Sequence, residues 1–368
     1  MKYEIVKYCS EFKSQIVELQ THLWSPNVSV NAAYLEWKYE RNPYVDSPLI
    51  YVALCEGKVV GMRGMYGAKW QIGHPPQPFH ALCAGDLVIA PEHQNRGLFT
   101  KIMRVALNDL AKLGYTYVFN LTSSPITRLG SLTMGWRSIG YLQTMRWKAR
   151  HRIIWPSLKS YMSRLSFPSS AKKHRPFYFL DTNGVRRRGK TNPYVSVEQI
   201  PRPEAMAELV ERIGNDGRIQ HVRDQEYFAW RFNNPLSLYR FLFWEDTMVE
   251  GYLVLQTGLY EDKVKVNIVD CEAANPRIRV ELLKAAIHLG NFDVLTIWSA
   301  TLSDEAKILL QDTGFNYSDK TESIARYRPT ILVRPVRDEM LRTDWVLVNR
   351  QLLDLTNWDL RMIYSEGF

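Results

Sequence analysis

The chain has 368 residues, 46% of them hydrophobic and 23% charged, with a net charge of +9. That length exceeds what one core usually fills, so two domains are expected, and without a signal peptide or an uncharged apolar run of about eighteen residues the sequence predicts a cytoplasmic protein with no transmembrane segment. Cys9, Cys55, Cys83 and Cys271 lie far apart with no Cys/His cluster, which predicts buried free thiols and no metal site.

In chain order, the first half reads as a strand near Lys2 to Tyr8, an amphipathic helix over "EFKSQIVELQTHLW", and a second helix ending in "WKYERNP" at Pro43. A hairpin turning at Glu56-Gly57-Lys58 follows. Next come "HALCAGDLVIA", a strand buried on both faces, and a helix from Gly97 to about Leu113. "YTYVFNLTS" is another strand, and after Gly135-Trp136 a pair of strand-like runs reaches about Trp147.

The second half repeats this order from Tyr194. "WRFNNP" at Trp230 answers "WKYERNP", Gly251 answers Gly61, Pro276 answers Pro91, and Gly314-Phe315 answers Gly135-Trp136. These landmarks lie 193, 190, 185 and 179 residues apart, the small drift of a tandem duplication. The expected domains are 1–147 and 194–368. Residues 148–193 form a linker: between Arg146 and Lys190 thirteen Lys/Arg face one acid, Asp181. Such a segment is either a solvated linker or a basic surface for an acidic partner. No nucleic-acid-binding motif accompanies the charge, so no nucleic acid partner is expected.

Chemistry concentrates in "DLVIAPEHQNRGLFTKIMRVALNDLAKLG". A buried strand ends at Pro91, and "QNRG" opens a helix whose first N–H groups are left without intrahelical partners, a seat for a phosphate. Gly97 allows close approach to the backbone, and Arg96 and Lys101 add positive charge nearby. Just upstream, Asp86 interrupts an apolar strand. It is either a buried general base or a carboxylate tied to a neighbouring loop, and Asp270 in the matching strand favours the structural role.

This stretch resembles the signature of the GNAT superfamily of acyl-CoA N-acyltransferases: a strand, Q/R-x-x-G-x-G/A, then a helix. Gln94 and Gly97 stand at signature positions; Phe99 replaces the usual small residue, as in members written "RGKGLF". The order of elements extends the resemblance over both halves. It implies an α/β fold of two tandem domains, each a twisted, mostly antiparallel mixed sheet with a central parallel pair, flanked by helices.

It also implies that an acyl-CoA, acetyl or longer, lays its pyrophosphate on the amides of Gln94, Asn95, Arg96, Gly97, Leu98, Phe99 and Thr100. Pantetheine would pair with Leu87, Val88 and Ile89 where two strands splay. A primary amine, on a small molecule, peptide or amino sugar held between the domains, would attack the thioester directly without a metal. Ser131 holds the position of the family's proton-donating Tyr, and Ser124 that of its helix-starting Asn. The turn "EAANPRIRVELL" of the second half lacks glycine, which predicts a degenerate second cofactor site. His93 is expected to be an exposed loop residue, and the Phe368 carboxylate is a candidate to reach a pocket. Lys38 and Arg231 are expected either to line an acceptor groove or to keep solvated heads on packed stems. The alternatives are a transferase using a carrier protein or aminoacyl-tRNA as donor, and a non-catalytic CoA-binding module.

Overall fold

The computed structural model of the chain describes residues 2–123, 125–149, 192–258, 265–289, 292–317, 330–337 and 339–365. Its strands are β1 (Tyr3–Lys7), β2 (Leu49–Cys55), β3 (Lys58–Gly67), β4 (Trp70–Ile72), β5 (Gln77–Phe79), β6 (Ala81–Ile89), β7 (Tyr117–Ser123), β8 (Arg137–Tyr141), β9 (Thr144–Lys148), β10 (Val195–Glu198), β11 (Gln220–His221), β12 (Ser237–Glu245), β13 (Val249–Gly258), β14 (Lys265–Ala273), β15 (Val294–Trp298), β16 (Asn316–Tyr317) and β17 (Thr330–Pro335). The helices are α1 (Lys13–Leu19), α2 (Val28–Leu35), α3 (Leu98–Lys112), α4 (Pro125–Leu132), α5 (Pro203–Ile213), α6 (Gln225–Arg231), α7 (Pro276–Leu289) and α8 (Asp304–Asp312).

Two seven-stranded mixed sheets carry the fold, in orders β1-β2-β3-β6-β7-β17-β8 and β10-β12-β13-β14-β15-β9-β16. Each has one parallel pair at its centre, β6 with β7 and β14 with β15, among antiparallel neighbours. The halves exchange a strand each. Thr144–Lys148 of the first half pairs with β15 in the second sheet, and Thr330–Pro335 of the second half sits between β7 and β8 in the first. Each sheet therefore crosses the expected boundaries at 147 and 194. Of the expected linker, 150–191 lie outside the described residues.

Local sequence explains the elements. Glu56 and Gly57 both take positive φ, 52° and 76°, as a two-residue hairpin turn between right-twisted strands requires. In α3, Ile102, Met103, Ala106, Leu107 and Leu110 are buried at helical spacing and cover Leu49, Tyr51 and Ala53 of β2. In α7, Ile278, Leu282, Leu283 and Ala286 do the same over Leu242, Leu253 and Leu255. A third, larger cluster lies between the sheets, joining α1, α2, α5 and α6 to the last segment, Trp358 to Tyr364. A small sheet, β11-β4-β5, also ties the halves together; the sequence showed no element there.

The repeated phrase lies at the heart of this third cluster. Trp37 and Trp230 stack on each other at 5.2 Å and 13°. Each indole N–H donates to the other tryptophan's backbone carbonyl, at 2.8 and 2.9 Å. Such reciprocity is what two similar units make about a pseudo-two-fold axis. Both phrases end alike: Asn42 and Asn234 each accept a bond from the backbone N–H two residues on, of Tyr44 and Leu236. The cysteines depart from expectation at two places, since Cys9 is exposed and Cys271 half-buried while Cys55 and Cys83 are buried.

Candidate active site

After Ile89 the chain makes a single 3-10 turn, Pro91–His93, and enters α3 through Asn95 and Gly97, both left-handed with φ 59° and 71°. No side chain caps α3, so its leading N–H groups face the turn unclaimed by a capping group. A Cβ built on Gly97 would meet nothing within 4 Å, so glycine serves the backbone conformation and leaves open space above it. Gln94 donates to Ile89 O at 3.0 Å and Arg96 to Glu92 O at 3.1 Å, which pins the turn. His93 is half-buried, against expectation, because the Tyr3 hydroxyl bonds its Nδ1 at 3.1 Å. Phe99, the departure from the signature, has its own counterpart: a Cβ on Gly130 of α4 would fall 2.8 Å from the Phe99 ring. The large residue on one helix is seated by the missing side chain on the other.

The strand leading to this turn is open on one side. β6 and β7 are laddered only at Ala81↔Tyr117, Leu82↔Val118 and Cys83↔Phe119. Beyond Cys83 they part, while β6 still pairs with β3 through Met62↔Val88 and Gly61↔Ile89. Leu87 to Ile89 thus present a strand edge toward the wedge, next to the turn. The β3 ladder shifts register between Met62 and Gly64, a bulge that puts Asp86 at φ 47°.

Asp86 points away from solvent into a fully engaged pocket. One oxygen accepts from Lys38 Nζ at 2.9 Å and Trp24 Nε1 at 3.0 Å; the other accepts from the Tyr39 hydroxyl at 2.9 Å and Gln20 Nε2 at 3.4 Å. Lys38 and Asp86 side chains are both 0% exposed. The ammonium also sits 5.1 to 5.9 Å from the ring centres of Trp24, Tyr34, Tyr39 and Tyr66. Gly64 makes this possible, since a Cβ there would lie 1.9 Å from the Tyr39 hydroxyl. Lys38 and Arg231 therefore do not keep solvated heads; both are buried and line a small pocket between the halves with Tyr66, His221 and Tyr364. Arg231 donates to Ile363 O, Ser365 O and the Tyr239 hydroxyl, and both cations lie where the halves close on each other.

The second half keeps the wedge and loses the turn. β14 and β15 part after Ile268↔Ile297, and Asp270 lies beside the corresponding register shift. Asp270 accepts from Arg223 at 3.1 Å, Arg361 at 2.9 Å and the Tyr252 hydroxyl at 2.8 Å. Sequence reasoning missed both arginines, which come from a loop and from the last segment. Glycine is absent from the turn into α7, and Ile278 closes on the sheet: a Cβ on Gly251 would lie 2.5 Å from its Cγ2.

Ser131 is buried, and its carbonyl closes the end of α4 by accepting from Trp136 N at 3.2 Å; Leu310 does the same for Phe315 N at 2.9 Å in the second half. No hydrogen bond joins Ser131 to Asp86 or the turn among the described residues. Ser124 and Phe368 lie outside the described residues. Among the described residues no group of His, Cys, Asp or Glu is disposed to hold a metal, and no helix is long and apolar enough to cross a membrane.

Residues 6–133 match the family model "Acetyltransferase (GNAT) domain". No curated protein sequence matches the chain. Among solved structures, a GCN5-related N-acetyltransferase from Anabaena variabilis is similar at TM-score 0.59 and 13% identity, over 91% of this chain and 73% of its own. An Enterococcus faecalis protein described as a probable N-acyltransferase is similar at TM-score 0.57 and 13% identity, with the same coverages of 91% and 73%. A tandem GNAT protein from the clavulanic acid biosynthesis pathway, similar at TM-score 0.55 and 14% identity, is covered over its full length by 92% of this chain. With the turn and the splayed parallel pairs in view, residues 6–133 are similar to the GNAT acetyltransferase domain, and the chain as a whole has the mixed α/β fold seen in the tandem GNAT protein.

Proposed function

We propose that the chain transfers an acyl group from an acyl-CoA thioester to a primary amine, with the chemistry in the first domain. The observation that carries this reading is the continuity of two features: the unpaired edge at Leu87 to Ile89 runs directly into the open, uncapped start of α3 at Gly97. Pantetheine along that edge and pyrophosphate on the amides from Asn95 to Thr100 would be satisfied by backbone groups the fold leaves available, whereas the Gln94 amide already donates to Pro91 O at 3.3 Å. In the reaction the amine nitrogen bonds to the thioester carbon, a β6 amide polarises the carbonyl oxygen, the C–S bond breaks, and the thiolate takes up a proton. The acceptor is an amine on a small molecule or on a peptide.

Four donors fill the Asp86 carboxylate, so we assign it to holding the bulge and the Trp24–Lys38 wall, and leave proton removal to solvent. Ser131 corresponds to Leu310, which lines the wedge of the second half, and this correspondence supports a position for Ser131 on the wedge side of α4. A serine hydroxyl is a poor acid, which gives specific support to a second reading, a CoA-binding module without turnover.

Titration with CoA, acetyl-CoA and longer acyl-CoAs tests the donor site. At least one should raise the melting temperature, and Gly97→Glu should remove the rise; no response to any thioester overturns the reading. Thioester cleavage that requires an added amine separates the enzyme from the binding module.

A further inference from the structure

Helix α4 carries an apolar stripe on its outer side. Ser131 is buried on the inner side and Gly130 seats the Phe99 ring, so the helix rests against the start of α3. Opposite them Ile126, Leu129 and Leu132, spaced three residues apart, are 85%, 67% and 37% exposed. Folded surfaces scatter large apolar side chains singly; three in a row on one short helix mark a contact surface.

The stripe has a basic and aromatic border. Arg128 donates to the hydroxyl of Tyr141 on β8 at 3.1 Å and lies 5.4 Å from the centre of its ring, and Tyr141 is itself 43% exposed. No carboxylate pairs with Arg128 among the described residues. Residues 110–149, which include α4, β8 and β9, contain five cations, Lys112, Arg128, Arg137, Arg146 and Lys148, and no Asp or Glu.

Two properties select the occupant. The apolar side chains stand out from a helix instead of lining a groove, and the charge along the surrounding chain is of one sign. An anionic bilayer accepts both: protruding apolar groups enter its acyl boundary, while cations and a tyrosine hydroxyl stay among the head groups.

We propose that α4 docks on an anionic lipid surface, with Ile126 and Leu129 inserted and Arg128 on head-group phosphate. Docking does not rest on acyl-CoA binding. Because Phe99 and Gly130 hold α4 against the start of α3, it would bring the turn before α3 to the bilayer.

Sedimentation of the full chain with unilamellar vesicles tests this, with phosphatidylcholine alone and with an equimolar mixture of phosphatidylcholine and phosphatidylglycerol. Binding is expected to the mixture only. It should weaken at least tenfold in the double variant Ile126→Glu/Leu129→Glu and about fivefold in Arg128→Gln. No binding to the mixture overturns the proposal and favours an acidic protein as the partner. Equal binding by the double variant also overturns it, since the basic run between Arg146 and Lys190 would then suffice. Both altered side chains are exposed, so urea unfolding of the double variant should match that of the unaltered chain and assign the loss to the face.

Discussion

Asp86 and Asp270 occupy matching bulges in matching strands, yet they are neutralised from opposite directions. Asp86 takes its cation from its own half, from the helix carrying the repeated phrase. Asp270 takes two, one from a loop before α6 and one from the last segment of the chain. Both halves thus keep a buried carboxylate at the bulge, each paired with the cations its surrounding chain delivers. The rest of each wedge diverged around that constant: the first kept a glycine turn and an open strand edge, while the second lost the turn and became walled by the chain's end.

The sharpest way to break this comparison is to remove one cation from each site. Lys38→Met leaves Asp86 buried without a cationic partner among the described residues, and a loss of about 3–5 kcal/mol in unfolding free energy is expected. Arg223→Met leaves Asp270 and Glu272 with Arg361, so its cost should be clearly smaller. Urea unfolding of both variants decides the point, and equal losses would show that the two sites are not differently redundant.

The matching glycines Gly61 and Gly251 sharpen it further. A methyl group on Gly251 would meet Ile278 at 2.5 Å and Leu282 at 2.9 Å, whereas one on Gly61 meets Ile89 at 3.3 Å. Gly251→Ala should cost about 1–3 kcal/mol by overpacking, and Gly61→Ala less. The difference, read from urea unfolding of the two variants, measures how far α7 has collapsed onto its sheet where the α3 turn stays open.

Acid distinguishes the sites as well. Burial raises the Asp270 carboxyl, but Arg223, Arg361 and the Tyr252 hydroxyl outweigh it and hold the group below its ordinary value of 3.8. A carboxyl depressed in the folded state binds protons more readily when unfolded. Its contribution is complete above 3.8 and is lost as pH falls from there through the lower folded value. Asp270→Asn should flatten stability against pH in that window by up to about 1.4 kcal/mol per pH unit, while leaving the slope above about pH 5 unchanged.

The sequence revealed the repeat, the hairpins and the glycine turn because each rests on local chemistry: alternating apolar runs, Gly57, Gly97, and Asn-Pro at two helix ends. It hid what depends on pairs far apart in the chain. The sequence showed no element at Thr330–Pro335, which the structure places in the first sheet, and "TMRWK" carries no mark of entering the second. The repeated tryptophans were legible as a ruler for the duplication. Their mutual stacking was not, since packing a helix on its own sheet and packing it on its twin use the same apolar face. Lys38 illustrates the limit: a lysine after Trp resembles a surface residue until Asp86, 48 positions on, is brought beside it. Phe99 and Gly130 were each visible, yet only their contact explains why the signature tolerates a ring.

The smallest effect lies at the turn that separates the halves most in function. Gly97 is left-handed at φ 71° with open space where its Cβ would go. Gly97→Ala should therefore lose about 1 kcal/mol of stability from backbone strain alone, with no steric clash inside the protein. The methyl would project into the space proposed for the pyrophosphate, so affinity for CoA should fall by more than that strain accounts for. Urea unfolding and CoA titration on the same variant separate the two terms: a stability loss with unchanged CoA affinity would place the anion elsewhere on the turn.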